Sequence, residues 1–277
     1  PFSPVAIIAQ DGSKKQDSEM KAFKRYIEAF KKNHPKLKVI VCGDTLYANA
    51  PLVTNLKQEG LGFILGIKEK SHKHLFKFIA TREERDLVNV LYEKETIGDK
   101  IKKEVSKSYR YVNGAPLNLK SSDRLEVNYL EYTEVTEWFH KGERQIRRVR
   151  FTWVTNIFLN KETVKQVSQG GRARWKIENE VFNTLKNQGY NFEHNYGHGK
   201  KHLSENFAHL MTLAFFADQI LEMMSEKFNN ILSLYLRKTR VWEKMRNIYE
   251  IFSLDSWDNF YKILEASATG SLTCNSS

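Results

Sequence analysis

Two carboxylates stand out by position. Asp44 closes the run Lys38-Val-Ile-Val-Cys-Gly-Asp44, whose continuous, β-branched apolar character predicts a strand buried on both faces. Glu178 lies in Gly170-Gly-Arg-Ala-Arg-Trp-Lys-Ile-Glu-Asn-Glu-Val-Phe-Asn-Thr-Leu-Lys186, which has helical spacing. Residues three and four apart share a helix face, so Glu178 falls with Arg174 and Trp175 below it and Val181, Phe182 and Leu185 above it. A carboxylate on such an apolar stripe needs a compensating charge, supplied either by Arg174 or by a metal ion. Glu180 falls with Lys176 and Thr184 on the polar side and is expected in solvent. A carboxylate at the carboxyl end of an α/β strand is well placed to hold a divalent cation; Asp is also a preferred helix N-cap. Asp44 and Glu178 are 134 positions apart. Carboxylates converging from a strand end and a later helix suit two-metal phosphoryl transfer, which activates a hydroxyl nucleophile and stabilises the leaving oxygen.

The elements that must position them follow an α/β pattern. Residues 3–9 read as a short strand, Asp17 to Asn33 as a helix, and Pro51 to Glu59 as a second helix. Gly60-Leu-Gly-Phe-Ile-Leu-Gly-Ile67 reads as another buried strand. A helix is expected around Lys73 to Ile79. From Leu87 to Val154 short alternating segments rich in Tyr, Val, Thr and Trp predict an antiparallel insertion, with Asn113-Gly114 as a hairpin turn. In its last strand Val149, Phe151 and Trp153 alternate with Arg148, Arg150 and Thr152, giving one apolar and one basic face. The chain is expected to return to the core at Trp153-Val-Thr-Asn156. Lys161 to Gln188 then reads as helix broken at Gly170-Gly171, residues 189–202 as a polar loop, residues 203–228 as a buried helix, and residues 229–277 as smaller helices with a frayed end.

The net charge of +11 favours a polyanionic partner, nucleic acid before an anionic membrane surface. Arg148, Arg150, Arg172, Arg174, Lys186, Lys200 and Lys201 are expected to form one positive, DNA-contacting surface. Cys42 and Cys274 form neither a disulfide framework nor a zinc-finger spacing, and point to a reducing compartment, the cytoplasm. The apolar stretch from Leu203 to Met224 contains Glu205, His209, Asp218 and Glu222, too polar to span a bilayer. His194, His198 and His202 lie beside Lys200 and Lys201; contact with DNA phosphates and a zinc site both fit their types, and zinc ordinarily asks for cysteine or carboxylate and tighter spacing.

The segment Gly171 to Lys186 resembles the Tyr-Arg-Glu-Lys signature of insertion-sequence DDE transposases. Val41-Cys-Gly-Asp44-Thr-Leu-Tyr resembles the segment bearing their second catalytic Asp. Gln10-Asp-Gly12 and Glu193-His-Asn-Tyr-Gly-His-Gly-Lys-Lys-His-Leu203 extend the likeness from the first residues to about residue 220. The resemblance implies an α/β fold: an RNase H-like core (residues 1–67 and 156–225), a β-rich insertion (68–155) and a helical C-terminal tail (226–277). It implies two Mg²⁺ or Mn²⁺ ions held by Asp44 and Glu178 as second and third catalytic carboxylates, with Arg174 and Lys186 contacting DNA. The substrate implied is double-stranded DNA, at transposon ends and target, cut and joined by a nucleoid-associated enzyme that forms a homodimer on DNA. Gly171 stands where the signature has Tyr, and Lys186 follows Glu178 by eight residues rather than seven. The family's first Asp lies on a strand expected before Pro1, since Asp11 follows a later strand. The chain is therefore expected to be a fragment that binds DNA without cutting it. A nuclease of the same core that cuts without joining, and an inactive DNA-binding remnant, are the alternatives.

Overall fold

A computed structural model describes residues 5, 7, 17–99, 101–118, 125–197 and 202–271. Of the strand expected over residues 3–9 all but residues 5 and 7 lie outside them, as do Asp11, His198, Lys200, Lys201 and Cys274. The chain divides into two compact units, residues 7–175 and residues 1–6 with 176–277.

The first unit is a six-stranded mixed sheet with helices on both faces. Helix α1 (Glu19–Asn33) is capped by the Ser18 hydroxyl and is followed by β1 (Ile40–Gly43), α2 (Ala50–Gln58), β2 (Gly62–Gly66) and α3 (Lys73–Glu83). Four long strands come next: β3 (Asn89–Ile97), β4 (Lys103–Pro116), β5 (Glu126–His140) and β6 (Glu143–Thr155). The sheet order is β1-β2-β6-β5-β4-β3. β1 and β2 run parallel, and β6 returns antiparallel against β2, with Gly66 opposite Trp153. The β-rich segment thus rejoins the α/β part where the alternation of Val149, Phe151 and Trp153 places it. This mixed α/β architecture is compatible with an RNase H-like core. One apolar cluster joins α2, α3 and one sheet face through Leu52, Val53, Phe63, Leu75 and Tyr129. The other sheet face packs Ile64, Tyr109, Leu130, Tyr132 and Trp153 against Val164 and Val167 of α4 (Thr163–Lys176).

Three expectations are corrected here. β1 is not buried on both faces: Ile40 is 52% exposed, because β1 has a strand partner on one side only among the described residues. Asn113-Gly114 makes no hairpin turn. β4 runs through it as a bulge, with the pairing to β5 shifting between Val112 and Ala115. Gly114 takes the left-handed conformation (φ +70°) that the bulge needs, and the Asn113 side chain is spent bonding the backbone of Leu159 at both N–H and C=O. Nor does the helix break at Gly170-Gly171. α4 runs straight through, because the missing side chains are what let it seat on the sheet. A Cβ at Gly170 would stand 2.8 Å from the Ile64 side chain, and one at Gly171 2.5 Å from the Trp153 ring.

The irregularity comes one turn later. Ile177–Phe182 is a π-helical segment, followed by α5 (Asn183–Asn187). In the second unit α6 (Leu203–Met224), α7 (Glu226–Tyr235), α8 (Lys238–Ile251) and α9 (Trp257–Thr269) follow. Ile231, Tyr235, Val241, Ile248, Phe260 and Leu264 give α7–α9 a core of their own. α6 is not the buried helix its composition predicts: Phe215 is buried, while Leu213 is 62% exposed. Its apolar residues run all round the helix, and the partners within the unit cover one side.

Candidate active site

Asp44 sits immediately past the carboxyl end of β1. Its two possible roles separate here. The N-cap of α2 is Asn49, whose side chain accepts from the Leu52 N–H at 3.1 Å. Asp44 instead accepts from the Leu46 N–H at 2.9 Å, a turn bond that fixes the carboxylate at the strand end while leaving it exposed. Tyr47, three residues on, has its hydroxyl pushed well above the ordinary phenol range, by burial first and then by its bond to Glu19.

Beyond the carboxyl ends of β1 and β2 the first unit opens a cleft of about 820 Å³. Asp44, Thr45, Lys68 and Glu69 line it from the strand-end loops, Arg147, Arg150 and Phe151 from β6, and Arg172, Arg174 and Trp175 from α4. Each contributor has a local cause. β2 ends at Gly66 while β6 continues past it, so the free edge of β6 forms one wall. Gly170 and Gly171 bring α4 down onto Ile64 and Trp153, which carries Arg172, Arg174 and Trp175 to the rim. The Cys42 thiol lies 3.6 Å from the Gly170 carbonyl oxygen; burial raises its pKa, and the positive charge of Arg174 opposes that rise. The lining holds five cationic and two acidic side chains, an excess of three positive charges.

Two of these arginines are braced. Arg150 donates through Nε and Nη2 to one oxygen of Glu131 at 3.1 and 2.6 Å. Glu131 is itself buried, at 5% exposure, and also accepts from Arg110 at 2.9 Å and from the Tyr129 hydroxyl at 3.0 Å. Burial alone would raise its pKa. The bonds and charges of Arg150 and Arg110 win, and hold the carboxyl below the ordinary range. On the opposite sheet face Arg172 donates to Glu134 at 3.2 Å and to the Tyr132 hydroxyl at 3.3 Å, with its guanidinium 5.4 Å from the centre of the Tyr132 ring.

The structure brings together Asp44, Arg150, Arg172 and Arg174 of the residues singled out in the sequence. Arg148 is exposed on the same sheet face as Arg150, two residues farther along β6, and does not line the cleft. Glu178 and Lys186 belong to the second unit. Glu178 is exposed, as are Glu180, Trp175 and Phe182, so of the apolar stripe expected around it Leu185 is buried while Trp175 and Phe182 are not. Within that stretch the π segment matters, because a π turn holds one residue more than an α turn. It brings Lys186, eight residues after Glu178, back toward the helical phase that seven residues would give. Lys186 pairs with Glu193 at 2.7 Å. His194 packs on Tyr196 and His202 bonds Glu205, and among the described residues no group of three or more His, Cys, Asp or Glu could hold a metal ion.

Sequence reasoning missed Glu131, Glu134, Arg147 and Lys68. A signal existed for Glu131, an acidic residue inside the apolar run Val127-Asn-Tyr-Leu-Glu-Tyr132, which demands a cation across the strand. No helix among the described residues is long and apolar enough to cross a membrane.

No curated protein matches the chain. The family model described as the transposase DDE domain matches residues 4–216, well over half of the sequence, and takes in every element of the cleft. The chain belongs to the transposase DDE domain family.

Proposed function

We propose that the protein is the catalytic region of an insertion-sequence transposase that cuts DNA at the element's ends and joins the freed 3′ ends to a target. The observation that carries this reading is the cleft at the carboxyl ends of β1 and β2, where two exposed carboxylates, Asp44 at the strand end and Glu69, stand among Lys68, Arg147, Arg150, Arg172 and Arg174. That balance suits a phosphodiester backbone: the guanidiniums bind and orient phosphates. A carboxylate is a hard oxygen donor of the kind Mg²⁺ and Mn²⁺ take. Asp44 and Glu178 are the residues that would hold two such ions, Asp44 from the strand end and Glu178 from the helical run after α4. Ions bound there would activate the attacking water or 3′-hydroxyl and neutralise the leaving oxygen. Lys186, Lys200 and Lys201 are further phosphate contacts in this reading. Residues 1–67 and 156–225 make the catalytic core in this reading, with 68–155 as its insertion and 226–277 as its tail. The working form on DNA is a homodimer in the nucleoid.

The test is cleavage and strand transfer on a duplex carrying the terminal sequence that flanks the gene, with Mg²⁺ and with Mn²⁺. The protein should cut and join. Asp44→Asn and Glu178→Gln should do neither while still binding the duplex. Cleavage without joining of a pre-cut end replaces transposase by nuclease, and binding with no cleavage under either metal leaves a DNA-binding remnant.

A further inference from the structure

The two braced arginines present a paradox for a cleft that takes a polyanion. Glu131 and Glu134 both come from β5, one on each face of the sheet, and each neutralises part of a cationic lining. If charge alone attracted the substrate, both would weaken the site. Their burial suggests another role. The side chains of Arg150 and Arg172 are 53% and 45% exposed, whereas those of Glu131 and Glu134 are 6% and 20% exposed. Each carboxylate is more covered than the guanidinium that it bonds, so a ligand meets the arginines first. An unbraced arginine surrenders rotamer freedom when it binds, and a braced one has surrendered it already. The guanidinium is a planar fork of five donors, so bonding one edge to a glutamate fixes the direction in which the others point.

We propose that Glu131 and Glu134 are positioning residues that hold Arg150 and Arg172 as preformed phosphate contacts. This rests on the reading of the cleft as a nucleic-acid site, and it makes a prediction opposite in sign to simple electrostatics. Removing either glutamate raises the cleft's positive charge by one, yet should weaken its grip on DNA.

The experiment measures fluorescence anisotropy of a labelled duplex against the full chain over a range of salt. Glu134 is the better target because it is the less buried of the two. Glu134→Ala should raise Kd about three- to tenfold, the cost of ordering one long side chain afresh. The salt slope should fall by about one, as one phosphate contact is lost. Glu134→Gln, which keeps an acceptor oxygen, should recover part of the loss. In an Arg172→Ala background Glu134→Ala should have no further effect, since the pair acts as a unit. Glu131→Ala should behave likewise with Arg150, in protein whose circular dichroism matches wild type. Equal or tighter binding by Glu134→Ala, or the same loss without Arg172, overturns the proposal. Absence of salt-dependent binding by the unaltered chain overturns instead the nucleic-acid reading on which it rests.

Discussion

Gly170 and Gly171 are adjacent in one helix, and alanine should act on them in opposite directions. In a helix interior alanine is favoured over glycine by about 1 kcal/mol. At Gly170 the new methyl meets one atom within contact, the terminal Cδ1 of Ile64 at 2.8 Å. That atom is the end of a flexible chain and can swing aside. Gly170→Ala should therefore be neutral or stabilising by up to about 1 kcal/mol. At Gly171 the methyl meets three atoms of the Trp153 indole at 2.5, 2.6 and 2.9 Å. The ring cannot retreat: Trp153 is buried and stacked on Phe151 with centroids 5.5 Å apart. Overpacking of this kind costs about 1–3 kcal/mol and outweighs the helix gain. Gly171→Ala should thus be destabilising by about 1–2 kcal/mol, and the two variants should differ by about 2 kcal/mol. Urea unfolding followed by tryptophan fluorescence measures this directly. Gly171→Ala should also weaken duplex binding, because Gly171 lets α4 deliver Arg172 and Arg174 to the cleft. If Gly171→Ala is as stable as Gly170→Ala, α4 is not seated by contact with Trp153.

Two further outcomes follow from the same geometry. Arg147, which lines the cleft as Arg150 does, should lower the salt slope of DNA binding by about one when replaced by alanine, whereas Arg148→Ala should change it less; the reverse ranking would mean that DNA follows the Arg148–Arg150 face of β6 and not the cleft. Asp218, which accepts the Tyr190 hydroxyl, has its pKa raised by burial and then by Glu222. A carboxyl whose pKa is higher folded than unfolded binds more protons in the native state, so its contribution to stability falls as pH rises from about 4 through the raised value. Asp218→Asn keeps an acceptor for Tyr190 but cannot titrate. Its stability relative to wild type, from urea midpoints, should improve between about pH 4 and pH 7; a flat difference would show that Asp218 is not strained by its charge.

Much of the α/β part was legible because its signals are local. The Gly60–Ile67 apolar run became β2, and the alternation of Val149, Phe151 and Trp153 fixed both the strand β6 and the face it turns to α4. What escaped the sequence depends on partners distant in the chain. Asn113-Gly114 has hairpin chemistry, but the backbone of Leu159 claims the Asn113 side chain and the pair becomes a bulge. Gly170-Gly171 reads as a break until the Trp153 ring is seen to need the space that Gly171 leaves. The π segment leaves no mark in composition, yet it alters the phase on which the argument for Glu178 relied. Of the site, Asp44 and three of the basic residues were read correctly as neighbours. The glutamates that brace two of them were not, because pairing across β4, β5 and β6 depends on a register that periodicity alone leaves open.

In the proposed function Asp44 and Glu178 serve one metal centre. Iron-mediated backbone cleavage tests this: Fe²⁺ replaces Mg²⁺ in the protein on duplex DNA, and ascorbate with peroxide then cuts the chain beside the bound ion. Cuts are expected near residue 44 and near residue 178 together, both suppressed by excess Mg²⁺ and both lost in Asp44→Asn. Cuts near one carboxylate without the other, or cuts at both that persist in Asp44→Asn, would contradict it.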